Sequence, residues 1–199
     1  MLENSNLFNH SDSPNSPHGF NSSLLESLNK FASLTYCEEL VYDVVDDKSL
    51  MESLVYIWQQ NSKRFNQNIP RDLKEFFLSK FTVCDDVYYK GLHSIKGNKL
   101  DPSSFEDLSF TSCTPSKDIA AGFSVGFKNY FFDNGEECCV YEVTGDLVLK
   151  NVCDYRDMGE EEVIIYNPVY SKKPVFKILE SSYRGVDRLP SLKDMKIIE

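Results

Sequence analysis

The hydrophobic pattern of this chain changes period once, near Thr82, and that change dictates the class of fold. Before it, apolar residues recur at helical spacing. Leu24, Leu25, Leu28 and Phe31 share one face; Leu50, Met51, Leu54, Val55 and Trp58 share another; Leu73, Phe76, Phe77 and Phe81 form a third. Ser23 with Glu26, and Ser49 with Glu52, have capping-box spacing ahead of the first two, and Pro70 suits the first turn of the last. The polar stretch 63–69 reads as a loop. After Thr82, short strand-like runs appear at 87–93, 109–114, 138–143, 147–152, 161–166 and 175–179, separated by Gly, Pro, Asn and Asp. Asn134 and Gly135 predict a hairpin turn, and Ser116 predicts the N-cap of one short helix carrying Ile119, Ala120 and Phe123. Helices followed by a mostly antiparallel sheet define an α+β chain, with a helical lobe over 23–81 and a sheet core over 82–199. A Ser- and Asn-rich tail over 1–22 has little to bury and is expected to be flexible.

Composition narrows the chemistry. Twenty-one Lys and Arg against 31 Asp and Glu give a net charge of −10, which disfavours a broad nucleic-acid surface but leaves room for a local basic cleft. No apolar run approaches the roughly 20 residues of a membrane span, and the start lacks a basic-then-apolar leader. The expectation is a protein without membrane association, cytoplasmic or delivered into a host cytoplasm without a cleaved signal. Six cysteines form no CxxC pair and read as reduced, mostly buried thiols; adjacent Cys138 and Cys139 should point to opposite sheet faces. His10 and His18 lie in the tail, leaving His93 alone in the folded body. That excludes HExxH zinc chemistry and makes any Ser-His or Cys-His machinery depend on one residue. Neither GxxxxGK[ST] nor GxGxxG occurs. An enzyme of this composition works with carboxylates and hydroxyls.

Three segments stand out: YYKGLH at 88–93, SFTSCTPSKDIAAGF at 109–123 and GEEEVIIY at 159–166. In the last, a strand beginning at Glu160 would put Glu160 and Glu162 on one face and Glu161 on the other. Two like charges so placed suit a cationic ligand or transition state, or simply a charged strand entry that suppresses edge pairing. In the second, Ser112 and Thr114 share a face before a hydroxyl-capped helix. In the first, Tyr89 and Lys90 precede Gly91, which permits close backbone approach.

In this order the three segments resemble the Arg-Ser-Glu class of mono-ADP-ribosyltransferases, a family that includes clostridial toxins, vertebrate arginine-specific ecto-enzymes and phage enzymes. The resemblance spans about residues 82–182. It rests on Phe110-Thr111-Ser112-Cys113-Thr114, on Ala120 and Phe123 in the following helix, and on Glu160-Glu161-Glu162-Val163. Where the family has arginine before glycine, this chain has Lys90, which meets a phosphate as a point charge without a two-pronged grip. Tyr183-Arg184-Gly185 follows the glutamates, the wrong order for the missing element.

The resemblance implies a split sheet core of the ADP-ribosyltransferase type beside a helical lobe, with NAD as substrate and no metal. Glu162 would hold the ribose 2′-hydroxyl and stabilise an oxocarbenium-like centre, and Ser112 would orient Glu162. Gly91 would meet the nicotinamide carboxamide, Lys90 a phosphate, and Tyr89 and Thr114 would line the dinucleotide site. Glu160 would orient or deprotonate the acceptor; glutamate there goes with arginine acceptors, so the expected product is an ADP-ribosylated protein arginine. The loop 152–159, with Tyr155, would face that macromolecule. Such a chain would serve as a toxin or effector and call for a neutralising partner. Three other outcomes stay open: a nucleic-acid base as acceptor, water as acceptor, or an interaction module that has lost turnover.

Overall fold

The computed structural model describes residues 21–38, 44–94, 100, 102, 108–125, 137–152, 161–182 and 188–199. Glu160, Tyr155, the Asn134-Gly135 turn and the Tyr183-Arg184-Gly185 triplet lie outside them. The described chain is α+β, with four helices followed by two antiparallel sheets and one inserted helix.

Helix α1 (Ser22–Thr35) is capped by Asn21, whose side chain accepts from the Ser23 amide at 3.1 Å. It ends where Tyr36 turns left-handed at φ 60. Asp46 caps α2 (Asp47–Gln60), accepting from the Ser49 amide at 2.8 Å, and Ser49 closes a capping box from the third helical position. Both caps therefore fall ahead of the serines read from the sequence, because Asn and Asp compete at least as well for the cap position. Pro70 is the N-cap of α4 (Arg71–Leu78) rather than its first residue.

The polar stretch 63–69 is a helix, not a loop. Helix α3 (Ser62–Asn68) starts on Asn61, whose side chain accepts from the Arg64 amide at 3.3 Å. Two turns bury only Phe65, so no apolar period exists to read. Phe65 packs edge-on to Phe31 at 5.3 Å and Phe77 at 5.4 Å, which ties α1, α3 and α4 into one core.

One sheet has the order β1-β5-β6-β3, from Thr82–Val83, Leu147–Leu149, Val163–Tyr166 and Phe110–Cys113. The other runs β2-β4-β8-β9, from Tyr88–His93, Cys138–Thr144, Phe176–Ser181 and Met195–Ile198, with β7 (Val169–Tyr170) also on β4. Cys138 and Cys139 enter different core clusters, as strand alternation requires. Among the described residues one backbone bridge joins the two sheets. The Tyr89 amide donates to Thr114 O at 2.8 Å, and the Thr114 amide returns a bond to Tyr89 O at 3.0 Å. Beyond that pair β2 follows β4 and β3 follows β6, so the two backbones part.

Helix α5 (Lys117–Val125) lies across β2. Its first turn is capped by Ser116, whose hydroxyl accepts from the Ile119 amide at 3.3 Å. Among the described residues no helix is long and apolar enough to cross a membrane.

Candidate active site

The pairing of β3 with β6 brings the second and third segments together. Cys113 opposes Val163 and Ser112 opposes Ile164, so Glu162, one residue before β6, falls beside the end of β3. There the Ser112 hydroxyl donates to Glu162 Oε1 at 2.7 Å. The strand does not extend back through the glutamates, however. Glu161 sits at φ 45, in the left-handed region, and the ladder begins only at Val163. The alternation read for the glutamates therefore fails at Glu161, where the backbone leaves the extended region; Glu160 lies outside the described residues.

Lys90 reaches the same point from β2. Its ammonium donates to the Ser112 carbonyl at 2.6 Å, so it bridges the gap between the parted sheets. Burial pulls its pKa below the usual lysine range, and the neighbouring Cys113 and Glu162 oppose that shift more weakly. The cation expected to meet a phosphate thus already spends one of its three donors on the protein.

Gly91 is a glycine for the sake of helix packing. A Cβ on it would lie 1.9 Å from Ala120 O and 2.7 Å from the Ser124 nitrogen, both backbone atoms of α5. Thr114 is buried, and its hydroxyl accepts from the Ser116 amide at 3.2 Å, which stabilises the strand-to-helix turn. Tyr89 is half-buried, with the Lys117 ammonium 5.0 Å from its ring centre.

Two cavities meet at the Ser112–Glu162 pair. The first, about 260 Å³, is lined by Tyr89, Lys90, Gly91, Thr114 and Phe123 as well as that pair. Phe123 turns its ring outward from α5 and is 41 % exposed, which leaves a flat apolar face for a planar ligand. The second, about 330 Å³, shares Lys90, Ser112 and Glu162 but is otherwise walled by Trp58, Gln59, Ser62, Leu108, Phe110 and Thr111. Along β3, then, one cavity lies before Ser112 and the other after it.

The second cavity contains what sequence reasoning missed. The Gln59 amide nitrogen, on α2, donates to Glu162 Oε2 at 2.9 Å. Trp58 was legible only as a core residue; it is buried, and its indole N–H has no hydrogen-bond partner among the described residues. No local signal announces either role, since each depends on how α2 packs against a strand a hundred positions away.

The arrangement presents a carboxylate held by two neutral donors beside a half-buried lysine, suited to stabilising positive charge on a bound ligand. It does not present a thiolate: burial pushes the Cys113 thiol up to about 12. His93 is exposed at the end of β2, opposite Cys138, and borders neither cavity. Compared with protein-family models, curated proteins and solved structures, the chain matches none of them.

Proposed function

We propose that this protein is a mono-ADP-ribosyltransferase, which cleaves NAD and transfers ADP-ribose to an arginine of a target protein. The observation that carries the reading is the 2.7 Å bond from Ser112 to Glu162 at the mouth of a cleft lined by Lys90, Gly91 and Phe123. The join of two antiparallel sheets at Tyr89 and Thr114, with the cleft beside it, supports the finer reading of the fold as a split core of that family.

In this mechanism the bond between nicotinamide and ribose C1′ breaks heterolytically, and its electron pair leaves with the neutral base. The cationic charge left on the sugar is stabilised by the Glu162 carboxylate, as in glycoside cleavage. Ser112 keeps that carboxylate oriented, and Lys90 faces the diphosphate. An arginine nitrogen then forms the new bond to C1′ and gives up its proton; Glu160 is the acceptor of that proton implied by the resemblance. A chain with this activity endangers the cell that makes it, which fits a toxin or effector held in check by a neutralising partner.

The test is Glu162→Gln, which keeps the size of the side chain and its bonding to Ser112 while removing the charge. Nicotinamide release from NAD should fall by about 10²–10³-fold with the thermal midpoint unchanged. Unaltered release would remove Glu162 from the chemistry. Mass spectrometry of proteins exposed to the enzyme and NAD identifies the acceptor.

A further inference from the structure

Glu162 is held through both of its oxygens. Ser112 donates to Oε1 at 2.7 Å from β3, and Gln59 donates to Oε2 at 2.9 Å from the penultimate position of α2. A carboxylate only accepts hydrogen bonds, so the Gln59 amide must turn its nitrogen toward Glu162. That leaves Gln59 Oε1 buried without a hydrogen bond among the described residues. Turning the amide over would set oxygen against oxygen. A buried acceptor with no donor destabilises a fold, and an apolar side chain of similar size would avoid that penalty. The bond to Glu162 is the interaction set against it.

We propose that Gln59 is a positioning residue, which together with Ser112 clamps the Glu162 carboxylate by one donor on each oxygen and makes the helical lobe part of the site. With both oxygens engaged, rotation of the carboxylate about its Cγ–Cδ bond is arrested. A bound ribose therefore meets it in one orientation, between the two cavities that Glu162 borders. The catalytic part of this inference rests on the reading of Glu162 as the charge-stabilising group; the clamp itself does not.

Two variants test it. Gln59→Leu removes the donor, and kcat for nicotinamide release should fall by about 10²-fold with KM for NAD little changed. Gln59→Glu sets a second carboxyl against Oε2, which repels when ionised and donates when protonated. Its activity relative to the unaltered enzyme should therefore rise as pH falls. Among the described residues the other groups facing Glu162, Lys90 on β2 and the Cys113 thiol and Ser112 hydroxyl on β3, are common to both proteins, so the ratio isolates the added carboxyl together with its coupling to them. Thermal midpoints establish that each variant is folded.

A third measurement needs no turnover. The side-chain amide protons of Gln59 should show a downfield, slowly exchanging NMR signal that disappears in Glu162→Ala. If that signal is present in a protein that does not cleave NAD, the enzymatic reading fails and the clamp stands. If NAD is cleaved but Gln59→Leu keeps full kcat, or the pH ratio for Gln59→Glu stays flat, Gln59 does not position Glu162.

Discussion

Lys90 is the residue at which the resemblance and the physical chemistry pull in different directions. An arginine there would stay charged at any working pH, whereas desolvation holds the half-buried Lys90 ammonium below the usual lysine range. Only the protonated form attracts a phosphate. As pH rises through the lowered pKa, affinity for NAD should therefore decline at a pH where a solvent-exposed lysine is still charged. Lys90→Arg should abolish that alkaline limb. Trp58, the chain's single tryptophan, borders the second cavity, so quenching of its emission reports binding directly. An identical alkaline limb in both proteins would assign the titration to another group. The sequence displayed the departure from arginine; it could not display the bond to the Ser112 carbonyl that occupies part of the ammonium.

Among the elements, α5 is the one whose seating decides the shape of the first cavity, and Gly91 is what lets it sit. The Cβ of an alanine at Gly91 would overlap backbone atoms of Ala120 and Ser124, which cannot swing aside as a side chain could. Gly91→Ala should therefore lift α5 from β2 and lower stability by about 3 kcal/mol, read from the denaturant midpoint. Because α5 also carries Phe123 to the cavity wall, NAD binding should weaken with it. A stable Gly91→Ala protein with normal binding would show that the helix accommodates the methyl group. A glycine in an aromatic strand gave a reason to expect close backbone approach to a ligand at Gly91, and the structure sets a carbonyl of α5 against it. Helix α3 was illegible for a related reason: its only buried residue is Phe65, and one residue has no period.

At the level of the whole molecule, Phe110 joins the helical lobe to the sheets. Its ring lies 5.8 Å from Phe65, 5.3 Å from Phe77 and 5.9 Å from Phe81 on one side, and 5.2 Å from Tyr166 on the other. It is fully buried and stands two residues before Ser112 on β3. Phe110→Ala should cost about 3–5 kcal/mol through the lost burial and the cavity left behind. Since the lobe and the sheet share that ring, both should still unfold together. Trp58 emission, which follows the lobe, and far-ultraviolet circular dichroism should give coincident transitions. Separate transitions would mean that the lobe is an independent unit, and a clamp on Glu162 spanning the two would then be loose.

The α+β class and the order of the strongly periodic elements are determined by the sequence alone, because helical and strand periods are properties of neighbouring residues; α3, which buries only Phe65, has no such period. The closeness of Ser112 to Glu162 was foreseeable only through the resemblance, from short motifs that pairing strands carry to one place. The tertiary structure alone decided that Gln59 reaches Glu162, that two cavities share it, and that Gly91 answers to α5. Each of these depends on how surfaces distant along the chain fit against one another, and such a fit leaves no period or spacing in the residues that make it.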